Sequence, residues 1–252
     1  MGRSVIEAAV ERADAEATAV AAKSDGLEAF TERLESLSTT QLQEAATQTV
    51  GGQLTSSGGT DRRAKVRTAF AETVVPHTEA ESTLTALRVE LGDAVALALA
   101  PTTQTALTPE LRTQLLTASR TRQRELAVTE QALCEELEQV ESAAEMTTEL
   151  VEWLRSVDET PLSDLGFPAL RRRHERLCER AQQLRELSET RQSFLHGTTS
   201  SDATVGVRNR DLVTSVYEDF SVSYPVLSTV CQLHDTIEDC RSVVRNHLVR
   251  RV

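Results

Sequence analysis

Two pairs of histidine and cysteine residues have the spacing of ligands on one helix face. His174 and Cys178 are four residues apart, and Cys231 and His234 are three apart. Residues at these separations share a helix face, and imidazole with thiolate makes a tetrahedral zinc site. If the two helices are neighbours, the four side chains predict a metal or redox site. The alternative is that the cysteines are small apolar core residues, and on that interpretation we expect no metal, no cofactor and no catalytic residue.

Other patterns of catalytic chemistry do not occur in the sequence. A di-iron helical bundle needs Glu-x-x-His, but the residues three before the five histidines are Val74, Arg171, Ser193, Cys231 and Val244. The zinc-protease motif, the phosphate loop and the dinucleotide glycine motif do not occur either, nor does Gly-x-Ser-x-Gly. We therefore expect that the chain is not an enzyme.

Basic residues gather in three places that have the composition of phosphate-binding patches. These clusters are Arg62, Arg63, Lys65 and Arg67; Arg171, Arg172, Arg173 and Arg176; and Arg241, Arg245, Arg250 and Arg251. Each cluster also has acidic neighbours, and charged helix faces of this kind are usually solvated. Nucleic acid is therefore an alternative partner and not the favoured one.

Three of the few large aromatic residues, Tyr217, Phe220 and Tyr224, fall within eight positions. Aromatic side chains anchor protein interfaces, and bulky rings also fill cores. The cluster predicts either a recognition surface for a protein partner or an apolar plug that holds the last helix to the rest of the fold.

The element that must position many of these residues is a long helix. Between Pro109 and Pro161 lie fifty-one residues without glycine or proline, which would span roughly 75 Å at about 1.5 Å per residue. Thr108 and Pro109 suit the N-cap and the first helical position. The seam follows the steps of three and four that are typical of a coiled coil, at Leu126, Leu133, Leu137, Val140, Ala144, Val151 and Leu154.

The same periodicity predicts helices on both sides of the long one. The first runs from about Ser4 to Leu37 and keeps its seam in phase across Gly26. No segment alternates with period two for long enough to be a strand. The further helices are, in chain order, about Asp61–Val75, one from a Thr78/Glu81 capping box to Pro101, Pro168–His196, about Arg210–Phe220, and one that starts at Pro225.

Short connections between long helices favour antiparallel neighbours, and they occur at Pro101–Thr108 and Asp158–Gly166. Runs rich in Gly, Ser and Thr predict a flexible linker at about 38–60 and a second mobile loop at about 197–209. The predicted fold class is all-α, an elongated antiparallel helical bundle with coiled-coil character. The predicted organisation is a single helical domain over residues 1–252.

The charge composition indicates a high-salt environment. The 27 basic residues, of which only Lys23 and Lys65 are lysine, stand against 39 acidic ones, for a net charge of −12. In molar salt the Debye length falls to about 3 Å, so self-repulsion is screened. No apolar run approaches the roughly 20 residues of a membrane span, and the N-terminus has no signal core. We expect a halophilic archaeal origin, no membrane span, a cytoplasmic location and cysteines that remain thiols.

Four segments together resemble a known family. They are RTAFAETVVPH (67–77), LTPELRTQLL (107–116), TPLSDLGF (160–167) and DLVTSVYEDFSVSYPVL (211–227). In this order they resemble an uncharacterised haloarchaeal family of all-helical proteins, a domain of unknown function. The resemblance covers nearly the whole chain and implies one all-helical architecture, but no activity and no catalytic residues come with it.

The sequence thus favours a non-catalytic helical structural or protein-interaction module. Its partner would be another protein or a second copy of the chain. The nucleic-acid hypothesis based on the arginine clusters and the metal or redox hypothesis based on the His/Cys pairs remain the two alternatives.

Overall fold

The computed structural model describes residues 4–47, 57–103, 107–200 and 206–250, with the backbone alone for 37–47 and 57–61. This part of the chain is mostly helical, as predicted, and α1 and α5 run antiparallel, as do α6 and α8. The helices are α1 (Val5–Thr47), α2 (Ser57–Thr73), α3 (Thr83–Leu91), α4 (Asp93–Leu99), α5 (Pro109–Asp158), α6 (Phe167–His196), α7 (Asn209–Val216) and α8 (Pro225–Val249).

Contacts along the chain divide it into two compact units. We call Met1–Ala17 with Gln131–Val252 the terminal unit, and Thr18–Glu130 the central unit. The helices α1 and α5 each contribute residues to both units. Whether the whole chain behaves as one domain stays a prediction.

Buried residues of the terminal unit follow coiled-coil spacing. On α5 the residues at these steps are Leu133, Glu136, Val140, Ala143, Thr147 and Leu150, next to which Ala132 is also buried, and on α6 they are Leu170, Leu177, Ala181, Leu184, Arg191 and Leu195. Helix α8 packs along α6 and buries Val226, Val230, Ile237 and Val244. Steps of three and four keep one helix face turned to its partner, and here they place two charged residues, Glu136 and Arg191, at core positions.

The core of the central unit is built by α1, α2, α3, α4 and α5. The rings of Phe30 and Phe70 meet edge to face with centroids 5.2 Å apart, and Leu87 and Leu99 are fully buried beside them. Helix α1 continues through Gly26, as predicted. The missing side chain of Gly26 lets the carbonyl of Thr73 on α2 come close.

The predicted long helix is confirmed from Pro109 to Asp158. The hydroxyl oxygen of Thr108 accepts a hydrogen bond from the backbone N–H of Leu111 at 3.2 Å. The capping residue that starts α5 is therefore the one that the sequence predicted.

The single helix predicted between Thr78 and Pro101 was wrong in two respects. It is two helices, because Gly92 adopts φ +91°, a conformation that residues with a side chain rarely adopt. Its N-cap is Ser82, whose hydroxyl accepts from the N–H of Thr85, and not Thr78. The reason for the second error is that several hydroxyl residues precede the helix and pattern alone does not rank them.

The prediction that no strand occurs was also wrong. Strands β1 (Thr198–Ser200) and β2 (Gly206–Arg208) form an antiparallel pair within the predicted mobile loop. Strands of three residues are too short to show an alternating pattern. In the predicted linker, α1 continues past Leu37 to Thr47 and α2 begins at Ser57. Residues 48–56 and 201–205 lie outside the described part, and the mobility of both segments stays a prediction.

Candidate functional site: a buried ion network and the α5–α8 groove

A glutamate and an arginine form an ion pair inside the terminal unit. Glu136 on α5 and Arg191 on α6 have side chains that are 0% and 2% exposed. The guanidinium binds the carboxylate through two hydrogen bonds, from Nη1 to Oε2 at 2.7 Å and from Nη2 to Oε1 at 2.8 Å. Two parallel hydrogen bonds fix both side chains more tightly than a single contact would, so the pair sets the relative position of α5 and α6.

Tyr217, at the C-terminal end of α7, adds a third partner to this carboxylate. Its hydroxyl donates to Oε1 of Glu136 at 2.9 Å, and its ring lies edge to face with Phe220 at 5.2 Å. Burial and the negative charge of Glu136 raise the pKa of Tyr217 far above its usual value. The phenol therefore keeps its proton and stays a hydrogen-bond donor.

The β-hairpin is attached to the same helices by a second set of polar contacts. The hydroxyl of Thr199 lies 2.6 Å from Oε2 of Glu135 and 3.0 Å from Oδ1 of Asn209. The amide of Asn209 donates to the carbonyl of Phe194 at the end of α6. These contacts fix the short hairpin to α5 and α6 although it has few residues of its own.

The central unit contains a second buried carboxylate with two cationic partners. Glu90 on α3 is 5% exposed, and it accepts from Nζ of Lys23 at 3.0 Å and from Nε of Arg122 at 2.8 Å. Burial alone would raise the pKa of Glu90, but the hydrogen bonds from Arg122 and Lys23 outweigh burial and lower it. Glu90 is therefore held as a carboxylate that joins α1, α3 and α5.

Both buried carboxylates have each oxygen occupied by donors from other helices. General acid or base chemistry needs a group that reaches the substrate directly or through one water. Glu136 and Glu90 instead hold helices in register, and they are the two acids that are buried in the described part of the chain.

An open groove lies between α5 and α8 in the terminal unit. It consists of two adjoining cavities of about 600 and 510 Å³ that share Arg155 and Thr236. The start of α1 also lines the first cavity, and α6 with the turn before it also lines the second. We call it the α5–α8 groove. The residues that line it at steps of three and four are Thr147, Val151, Leu154 and Asp158 on α5, and Thr229, Leu233, Thr236, Cys240 and Val243 on α8.

Helix α8 thus has two stripes with heptad spacing. The first, which includes Val230 and Ile237, is buried, whereas the second faces the groove and includes Leu233 and Val243. Val243 is 49% exposed. The second stripe has the spacing of a helix-packing surface; Thr236 and Val243 are exposed, and its other members are partly buried.

The predicted metal ligands do not form one group. Sγ of Cys178 lies 3.7 Å from Nδ1 of His174, while Cys231 is exposed and His234 faces Glu238 at 4.0 Å. Across the ranges that the structure describes, no three His, Cys, Asp or Glu side chains come together as metal ligands do. The helices α6 and α8 are neighbours, as the metal hypothesis required, but their two pairs are not joined into a site.

The three aromatic residues have different surroundings. Tyr217 is 1% exposed, so its ring is a core residue, as the plug alternative has it, and a recognition role for the cluster stays a prediction. Phe220 and Tyr224 are partly exposed. The hydroxyl of Tyr224 accepts from Nε of Arg210 at 3.1 Å, and hydrogen bonds with Thr214 and Arg210 lower the pKa of this phenol.

Several arginines of the basic clusters are used within the fold. Arg63 is 2% exposed and donates to the carbonyls of Ala100 and Thr103, and Arg67 donates to the carbonyl of Leu99. The carbonyls of Leu99 and Ala100 lie at the C-terminal end of α4, where helix carbonyls lack partners within the helix.

In the other two clusters some cations also have partners in the protein. Arg171 pairs with Glu175, and Arg241 pairs with Glu238. Arg251 lies outside the described residues.

The residues that sequence reasoning missed are Glu136 and Arg191. Apolar periodicity does not register charged residues, even where they occupy a seam position. The detectable signal was position: continuing the steps of three and four from Leu133 reaches Glu136, and continuing them from Leu184 reaches Arg191. A charged residue at a seam position predicts a buried partner of opposite charge.

No helix in the described ranges is both long and apolar enough to cross a lipid bilayer. A family model described as "Domain of unknown function (DUF7260)" matches residues 4–241 of the chain. Neither a curated protein nor a solved structure matches the chain.

Proposed function

The chain belongs to the DUF7260 family, whose members share a domain of unknown function, and from that premise we propose that it is a non-catalytic helical module that binds a partner protein. The binding surface is the α5–α8 groove of the terminal unit. The module holds its partner through helix packing and carries out no chemistry on it.

The observation that carries this proposal is the open heptad-spaced stripe on α8. Leu233 and Val243 line a groove whose other wall holds Val151 and Leu154 at the same spacing. Two such walls form the kind of surface on which an amphipathic helix lays its apolar face. Exposed apolar surface rimmed by polar residues also marks interaction sites in general.

The partners of the two buried carboxylates support the non-catalytic part of the proposal. Glu136 and Glu90 are each bound by cations from other helices, and neither lines the groove. Nucleic acid is the weaker partner hypothesis because Arg63 and Arg67 already donate to carbonyls of the fold.

The setting that we propose is the cytoplasm of a halophilic archaeon. The acid excess of 12 charges and the near absence of lysine support it. In such a cytoplasm the Debye length is about 3 Å, so apolar contacts and charges at contact distance act on a partner, whereas longer-range charge effects are screened.

Site-specific photo-crosslinking in cells that make the full chain tests the proposed function. A photoreactive residue at Val243, inside the groove, is compared with one at Val249, which lies on the same helix, is 70% exposed and does not line the groove. We expect a discrete adduct at Val243 that is missing at Val249, and mass spectrometry then identifies the protein attached. No adduct at either position, or the same adducts at both, contradicts the proposal.

A further inference from the structure

We propose that the α5–α8 groove accepts a single basic amphipathic helix, with apolar side chains at steps of three and four and arginine or lysine along its flanks. This inference rests on the proposed function and names the partner's chemistry. Three features of the groove support it: the spacing of its walls, its length and the charges at its rim.

The spacing of the walls indicates a helix as the occupant. The stripe on α8 passes through Thr229, Leu233, Thr236, Cys240 and Val243, in steps of four, three, four and three. On α5, Val151, Leu154 and Asp158 continue in steps of three and four. Knobs of a third helix fit between two walls with this repeat, whereas an extended strand presents side chains with period two.

The length of the groove sets the size of the occupant. From Thr229 to Val243 the stripe covers fourteen helical steps, which is about 21 Å at roughly 1.5 Å per residue. A helix of about four turns fills this length. Such a helix is long enough to present two apolar residues for each heptad to both walls.

The rim of the groove is more acidic than basic. The acidic lining residues are Glu7, Glu152, Asp158 and Asp239, whereas the basic ones are Arg155 and Arg173. Arg173 also donates a hydrogen bond to the carbonyl of Thr160. Complementary charges at a rim select partners and speed their approach, so the flanks of the occupant should be cationic.

The same charges argue against a second copy of this chain as the occupant. Each copy has a net charge of −12, so pairing two acidic surfaces costs free energy through like-charge repulsion. A foreign basic helix meets the acidic rim without that cost. In the crosslinking experiment a dimeric adduct at Val243 would overturn the basic-helix inference while still supporting an interaction module.

The test uses the full chain and two synthetic peptides of about three heptads. Both have leucine at the seam positions and alanine on the outer face. At the positions that flank the seam, one peptide has arginine and the other has glutamate. Fluorescence anisotropy measures binding at about 0.15 M KCl, where rim charges are only partly screened. We expect the arginine peptide to bind at least about tenfold more tightly than the glutamate peptide.

Matched variants place the binding in the groove. V243R should weaken binding of the arginine peptide by at least about tenfold, because it inserts a charge at a packed contact. V249R adds the same charge to the same helix outside the groove, so binding should be unchanged. Circular dichroism checks that both variants fold, and equal effects of both, or none for V243R, would overturn the inference.

Cysteine alkylation gives a second readout that does not depend on a variant. Cys240 lines the groove, whereas Cys134 is exposed and does not line it. Bound arginine peptide should slow alkylation of Cys240 and leave Cys134 unaffected. Failure of the arginine peptide to bind, or equal binding of the two peptides, refutes the basic-helix inference, and the crosslinking result at Val243 decides the interaction module separately.

Discussion

At the scale of single residues, the glutamates that are buried in the described part of the chain are Glu136 in the terminal unit and Glu90 in the central unit, and cations from other helices stabilise both. Removing a carboxylate from water costs several kcal/mol, and the cost is offset only when the partner is well placed. The partners of Glu136 are themselves buried, whereas those of Glu90 are about a quarter exposed. We therefore expect changes at Glu136 to be the more severe.

Replacing Glu136 by glutamine should leave the guanidinium of Arg191 buried without a counter-charge. We expect E136Q to lower the free energy of unfolding by about 3–5 kcal/mol, the usual cost of breaking a buried pair. Urea unfolding followed by circular dichroism measures it. E138Q, at an exposed position of the same helix, is the control and should change stability by less than about 0.5 kcal/mol.

A triple variant separates two quantities: the stability lost when one partner of the ion pair is removed, and the net stability that the intact pair contributes. E136L/R191L/Y217F removes every charged or polar member of the network together. Apolar replacement of a buried ion pair is often neutral or stabilising, so the triple variant should recover most of the loss of E136Q. A triple variant as unstable as E136Q would contradict this account.

The pKa of Glu90 predicts acid sensitivity of the central unit. Hydrogen bonds from Arg122 and Lys23 outweigh burial and depress this pKa in the folded state. Their contribution is therefore complete above the unfolded pKa and is lost as the pH falls through the lower folded one. We expect the loss of stability of E90Q relative to wild type, measured by urea unfolding, to be largest near neutral pH and to shrink below about pH 4. A stability difference between E90Q and wild type that does not change with pH would refute this role of Glu90.

Cys240 should react slowly with alkylating reagents until the pH is high. Burial, followed by the charges of Asp158 and Asp239, raises the pKa of this thiol, and the thiolate is the reactive form. We expect its alkylation rate to reach half-maximum at a higher pH than that of a cysteine peptide. D158N should lower that midpoint, as mass spectrometry of labelled peptides would measure, and an unchanged midpoint would contradict the role of Asp158.

At the scale of elements, the close approach of α1 and α2 depends on one missing side chain. A Cβ placed on Gly26 would lie 2.3 Å from the carbonyl oxygen of Thr73 and 3.0 Å from a ring carbon of His77. The first distance is far below van der Waals contact and involves backbone, which cannot rotate away. Gly26, across which the helix continues, is therefore a packing residue.

Gly26 to alanine tests this contact, since helix propensity and packing predict opposite signs. In an isolated helix the change would stabilise by about 1 kcal/mol. Here the clash with Thr73 should dominate, so we expect G26A to lose about 1–3 kcal/mol, the usual cost of overpacking. S24A, two residues away in α1, should be neutral or slightly stabilising. A melting temperature of G26A at or above wild type would contradict the contact.

These helices also show which features of the fold and the site could be predicted from the sequence. Repeated local signals fixed α5 and the start of α8, because caps, prolines and a long seam agree there. Gly92 and Ser82 were missed, since a single residue decides each boundary and several neighbours offer similar chemistry. The site was harder to predict: the steps of three and four reach Glu136 and Arg191, but which helix faces the other depends on contacts 55 residues apart.

At the scale of the whole molecule, charge is the dominant property. A net charge of −12 on 252 residues favours solubility and opposes compaction through self-repulsion. Salt shortens the range of this repulsion to about 3 Å at 1 M. Stability should therefore depend strongly on ionic strength.

We expect the melting temperature to rise by several degrees between about 0.1 M and 2 M KCl, as the screening of repulsion favours the folded state. Differential scanning calorimetry measures it. A sucrose solution of equal water activity is the control, which separates screening from general exclusion of solutes. A melting temperature that is flat or falls with KCl would contradict this account and weaken the proposed halophilic setting.

The division of α1 and α5 between the two units has a consequence for how the chain is made. The central unit is one uninterrupted stretch, Thr18–Glu130, so the ribosome finishes it first. Ile6, Ala9 and Ala13, which are buried in the terminal unit, must wait with their apolar faces uncovered until the residues after Gln131 have emerged. Synthesis therefore leaves these turns of α1 accessible to chaperones until their partners have been made, and a pause before Gln131 would prolong that exposure.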